Sequence, residues 1–173
     1  TVEQIPPWFI SYWWGEPVRD FILAVEAHVE ARGHDESTAY WVCAYANNQH
    51  ELGGDIDPDP RKTSFYKAMK HAVGVLLVLD PNGTPFTRAW CCFEEAMVVR
   101  DEARTGAPLL LDIATVDSDK RAHVTTQGTT AADQKEYDKL DTYYHSNKSV
   151  ASIKAEREEG FPKAVLERGF RVD

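Results

Sequence analysis

Short apolar runs alternate along this chain with segments whose apolar residues recur at helical spacing, the pattern of βαβ units. Trp8 to Trp14, aromatic and β-branched and preceded by Pro6-Pro7, predicts a first strand. Pro17 suits the first turn of a helix in which Val18, Phe21/Ile22, Val25 and Val29 recur, and Gly33 supplies a left-handed stop. Ala39 to Tyr45 reads as a second strand. The polar segment from Asn47 to Lys62 carries Gly53-Gly54 and two Asp-Pro steps and is long for a βα connection, which marks it as functional or mobile. A helix from Thr63 to Ala72 buries Phe65, Ala68/Met69 and Ala72. Val73 to Leu79 is nearly all apolar, as expected of a central parallel strand covered on both faces. Asp80-Pro81-Asn82-Gly83 is a turn, followed by a helix from Thr87 to Arg104 that stops at Gly106, and by a fourth strand from Leu109 to Ile113.

The last third is less regular. Asp117 to Thr129 is polar without a period, whereas Thr130 to His145 and Lys148 to Arg168 read as helices capped by Thr130 and Ser149. Gly169 ends the second of these, and residues 170–173 begin a strand or a tail. Strands alternating with helices through right-handed connections define an α/β fold. The expectation is a flavodoxin-like three-layer sandwich with a parallel sheet of four to five strands and helices on both faces. A length of 173 residues fits a single domain, 1–173, with no internal boundary or repeat. In such sheets ligands bind outside the carboxyl ends of the strands, so the loops after Tyr12, Tyr45 and Asp80 are where a site should lie.

Composition narrows the partners. A formal net charge of −9 disfavours a long phosphate track, so nucleic acid is not an expected partner; a small anionic ligand needs only a few local donors. No apolar run approaches the roughly 20 residues of a membrane span, and no leader pattern opens the chain. Cys43, Cys91 and Cys92 make neither a disulfide framework nor a zinc spacing, so buried free thiols and a cytoplasmic location are expected. His28, His34, His71, His123 and His145 show no paired spacing for a metal. Asp57-Pro58-Asp59-Pro60 lacks the glycine and distal glutamate of a calcium loop. Ser11 lacks the Gly-x-Ser-x-Gly elbow, and no glycine-rich phosphate loop is present. No metal and no resident cofactor are therefore expected.

Three segments, taken in order, carry a resemblance. Phe9-Ile10-Ser11-Tyr12 followed by Gly15-Glu16-x-x-Arg19, then Leu52-x-Gly54-x-Ile56 with the helix at Phe65 to Ala72, then Trp90-Cys91-Cys92-Phe93-Glu94 resemble the Toll/interleukin-1 receptor/resistance (TIR) domains. The similarity covers residues 8–113; the second tryptophan at Trp14, Pro17-Val18, the insertion from Asp57 to Thr63 and the region 116–173 depart from the family pattern. The resemblance implies cleavage of NAD, as substrate, with release of nicotinamide, in a signalling or defence setting, and it places the essential acid at Glu94. It equally implies that the chain could be an assembly module without catalysis, because fold alone does not choose.

The residues themselves support several roles. Breaking the N-glycosidic bond to a cationic nicotinamide needs one carboxylate near the ribose, which stabilises the oxocarbenium-like centre and binds hydroxyls. Glu94 suits that role; its neighbour Glu95 lies about 100° round the helix. The bland alternative makes both of them solvated helix-surface acids. Trp13 and Trp14 can stack on a base or pack in the core, with Ser11 and Tyr12 alternating beneath them. Trp90, four residues before Glu94, shares its helical face. Arg19 can pair with a diphosphate or with Glu16, itself a second candidate acid. Asn48 and His50, in the run Asn47-Asn48-Gln49-His50, can hydrogen-bond a nucleotide or simply form a solvated turn.

Three functions follow: an NAD-cleaving hydrolase, a non-catalytic scaffold, and a nucleoside or nucleotide glycosyl-bond enzyme. The extended 47–62 segment is the expected surface for self-association into a homo-oligomer.

Overall fold

In a computed structural model, which describes residues 5–47, 50, 59–99, 108–145 and 147–169, five strands form one sheet in the order β2-β1-β3-β4-β5. The strands are β1 (Trp8–Tyr12), β2 (Tyr40–Trp41), β3 (Gly74–Leu79), β4 (Leu110–Val116) and β5 (Ala122–Thr125). The first four are parallel and β5 is antiparallel to β4. The helices are α1 (Val18–Arg32), α2 (Cys43–Ala46), α3 (Ser64–His71), α4 (Ala89–Val99), α5 (Ala131–Tyr144), α6 (Val150–Glu158) and α7 (Lys163–Gly169). This is the expected α/β sandwich with the flavodoxin strand order.

Alternation along the strands builds two cores. On one face Ile10, Leu76, Val78, Ala114 and Val116 pack under α1 through Ala24 and Ala31. On the other, Phe9 and Val75 meet Met69 of α3 and Val98 of α4, while Leu77 and Leu79 meet Val165 of α7. Every residue of β3 is buried, as its unbroken apolar run predicts. Each large side chain there contributes roughly 1.5–3 kcal/mol relative to exposure.

Local signals act where they were read. Gly33 closes α1 at φ 70° in the left-handed region. Thr130 and Ser149 cap α5 and α6, each in a reciprocal capping box.

Four expectations are corrected. The second strand stops at Trp41, because Val42 turns the chain and its carbonyl accepts from both Tyr45 and Ala46, starting α2 where a strand to Tyr45 was expected. As an edge strand paired only with β1, β2 has no second neighbour to hold it extended. The polar stretch after β4 holds β5, which joins β4 in a hairpin closed by Asp117 and by Lys120 at φ 63°. Only Val124 of β5 is fully buried, so its alternation is faint. The final helix is two, because Gly160-Phe161-Pro162 interrupts it and buries Phe161.

The fourth correction concerns α1, which does not bury Val18 and Ile22. Its inner face carries Asp20, Ala24, His28 and Ala31. A polar network rotates it. Asp112, fully buried on β4, accepts from His28 Nε2 at 2.8 Å and from Arg32 at 2.6 and 2.5 Å, and from the Gln127 amide at 2.9 Å. Burial alone would raise the Asp112 carboxyl, but these donors hold it below the usual range. His28 Nδ1 in turn lies 2.8 Å from the Tyr40 hydroxyl.

No helix among the described residues is long and apolar enough to cross a membrane.

Candidate active site

The chain leaves β1 by α1 toward β2, on one side, and reaches β3 by α3 on the other. This makes the carboxyl ends of β1 and β3 the point where the strand order reverses, and a crevice opens there. It is a cavity of about 500 Å³. That is within the range of small-molecule sites. Its wall comes from Tyr12 at the end of β1 and Trp13 and Trp14 after it, from Cys43 after β2, and from Phe65 of α3. Thr87 to Cys91 and Glu94 close it from the segment following β3.

Glu94 is 5% exposed and sits at the middle of α4. The Ser11 hydroxyl donates to its Oε2 at 2.5 Å. Burial pushes the Glu94 carboxyl up to about 8; the Ser11 bond pulls it down, and the nearby Glu95 adds to the rise. Glu95 is half-buried, its carboxyl raised to about 7 by burial, and its Oε1 has no partner among the described residues. Neither is the solvated surface acid that spacing alone allowed.

Four of the expected binding residues, Tyr12, Trp13, Trp14 and Trp90, line the cavity. Trp14 is 59% exposed and donates its Nε1 to Cys43 Sγ at 3.0 Å, so a rim residue is tied to the wall. Trp13 folds over Gly15, where a Cβ would lie 2.3 Å from its ring. Trp90 is exposed on one side and stacks on Phe65 with ring centroids 5.7 Å apart. Tyr12 packs on Phe21, its carbonyl accepts from Cys91 Sγ at 3.7 Å, and burial raises its hydroxyl to about 12.

Ser11 is 1% exposed and stands behind Glu94 rather than in the wall; it positions the acid. Glu16 and Arg19 are not brought into the cavity. Glu16 is buried against Asp80 and Asp20, and burial followed by those charges raises it to about 7, with Lys120 opposing. Arg19 is exposed on α1 and His50 is exposed after α2. Asn48, and most of the 47–62 segment with it, lies outside the described residues.

The structure adds residues that pattern reading did not select. Cys43 and Cys91 are buried in the wall, with thiols raised chiefly by burial, Cys91 to about 12. Both are thus protonated rather than nucleophilic. Cys92, expected to be buried, is exposed. Cys91 was traceable, since it precedes Glu94 by three residues and shares its helical face. Arg88 was not, because it lies at a helix start whose place the pattern leaves open by a residue or two. Among the described residues no cluster of acids, histidines or cysteines can hold a metal ion.

Compared with known proteins, the chain matches no family model, no curated protein and no solved structure. Fold and site define its class by themselves: an α/β sandwich with an aromatic pocket built over one buried carboxyl at the sheet's switch point.

Proposed function

We propose that this chain is a TIR-type NAD-cleaving hydrolase that releases nicotinamide, with Glu94 as its catalytic carboxylate. One observation carries the reading: Glu94 is buried in an aromatic-walled cavity at the carboxyl edge of the sheet instead of facing open solvent. A carboxylate kept there purely for solubility would have stayed in water, since burying an unpaired charge is costly.

The chemistry follows from the groups present. The bond between the nicotinamide nitrogen and the ribose C1′ breaks, its electron pair goes to the ring nitrogen, and neutral nicotinamide leaves. Water then adds to C1′ and gives up a proton. Ionised Glu94 stabilises the positive charge that builds on the ribose, and its oxygens accept from ribose hydroxyls. Ser11 fixes the carboxylate by its 2.5 Å hydrogen bond. The indoles of Trp13, Trp14 and Trp90 offer flat faces for the two bases.

Incubating the protein at high concentration with NAD and following nicotinamide release tests this directly. Release that disappears in Glu94→Ala supports the assignment. Full turnover by Glu94→Ala, or no release at any protein concentration, sinks it.

A further inference from the structure

The cavity holds two side chains of opposite charge type at different depths. Glu94 is buried, whereas Arg88 is exposed just before α4, and it is the only lysine or arginine among the described residues lining the cavity. The half-buried cations Arg32, Arg157 and Lys154 pair with Asp112, Asp133 and Glu158, and the exposed Lys120 pairs with Asp20. Arg88 makes no side-chain hydrogen bond or ion pair among the described residues. An unpaired guanidinium at a pocket mouth, in a chain of net charge −9, offers a planar fork suited to a phosphate.

A second feature of the same wall agrees. Ala89, Trp90 and Cys91, the first residues of the eleven-residue helix α4, also line the cavity. The amides of a helix's first turn have no partner within the helix, and the helix end carries partial positive charge.

We infer that Arg88, with the amino end of α4, is the anion-recognition point of this pocket and selects ligands that carry a phosphate or diphosphate next to the ribose. The inference deepens the NAD reading of the same cavity and rests on it for the orientation of the ligand: phosphates at the mouth, reacting ribose at Glu94. It moves the diphosphate contact from Arg19, which is exposed on α1 outside the cavity wall, to Arg88.

The test is a binding measurement that needs no turnover. Tryptophan fluorescence of the whole chain is titrated with ADP-ribose and, separately, with adenosine, for the wild type, Arg88→Ala and Arg88→Lys. Arg88→Ala should weaken ADP-ribose by about 10- to 100-fold, the usual worth of hydrogen bonds to a charged group. Adenosine should change less than about twofold, and Arg88→Lys, which keeps the charge but not the fork, should fall between. Unchanged ADP-ribose binding in Arg88→Ala, an equal loss for adenosine, or no binding of ADP-ribose by the wild type overturns the inference. Nicotinamide release from NAD by the wild type separates the two ideas. Arg88-dependent binding without release removes the hydrolase and leaves the anion site, whereas release with an unaltered KM in Arg88→Ala does the reverse.

Discussion

The Ser11 hydroxyl lies 2.5 Å from Glu94 Oε2, joining the end of β1 to α4 across the floor of the cavity. The bond favours the charged carboxyl, against a burial effect that favours the neutral one. Without it Glu94 would rise beyond about 8. Ser11→Ala should therefore move the acid limb of the kcat/KM profile for nicotinamide release to higher pH while leaving the plateau in place. A profile that drops uniformly, without shifting, would assign Ser11 a different role.

Glu94 also sets a stability cost. Its folded-state value, about 8, exceeds the ordinary 4.5. Its contribution to stability is thus complete below pH 4.5 and is lost as pH rises through 8. Glu94→Gln, neutral at every pH, should abolish nicotinamide release yet exceed the wild type in stability by roughly 3 kcal/mol at pH 7. The two proteins should converge near pH 4. Thermal melts from pH 4 to 9 measure this, and parallel curves would contradict it.

Gly15 tests the aromatic wall. Because a Cβ there would lie 2.3–2.6 Å from the Trp13 indole, and Gly15 itself is exposed, Gly15→Ala displaces the ring without disturbing the core. The KM for NAD should rise roughly 5- to 10-fold, about 1 kcal/mol of lost stacking. The melting temperature should hold. A large fall in stability with an unaltered KM would count against Trp13 as part of the site.

Asp112 tests the opposite case, a buried acid away from the cavity. Asp112→Ala strands Arg32 and His28 beneath α1 and should cost about 3–5 kcal/mol in denaturant unfolding. Where the variant folds, the KM for NAD should match the wild type.

These two acids also mark how far the sequence could be read. Glu94 was legible because a tryptophan, a cysteine and an acid stand in a fixed order early in a helix. Asp112 was not, because an acid in the middle of Leu109 to Ile113 looks like an interruption of a strand, and its partners His28 and Arg32 lie some eighty residues away. That long-range network is also what turned α1 away from its apolar stripe, so Val18 and Ile22 face outward. The parallel sheet was visible because β3 is apolar throughout and local periodicity alternates around it. The edge strands β2 and β5, two and four residues long, carry too little pattern to be bounded from sequence. Within the pocket, Trp13, Trp14 and Trp90 were found by position. Glu16 and Arg19 lie outside the cavity wall, Glu16 buried near Asp80 and Asp20 and Arg19 exposed on α1.

The raised Glu94 carboxyl has one more consequence. At neutral pH the empty pocket holds a proton, and a cationic nicotinamide ring arriving beside it favours the carboxylate. Filling the pocket with NAD should therefore expel a fraction of a proton into the medium. Calorimetric titrations in two buffers of different ionisation enthalpy would count that fraction, and Glu94→Gln should reduce it to zero. Occupancy of this site is thereby written into the solution as acid, and affinity for the cation should climb as the surroundings turn alkaline.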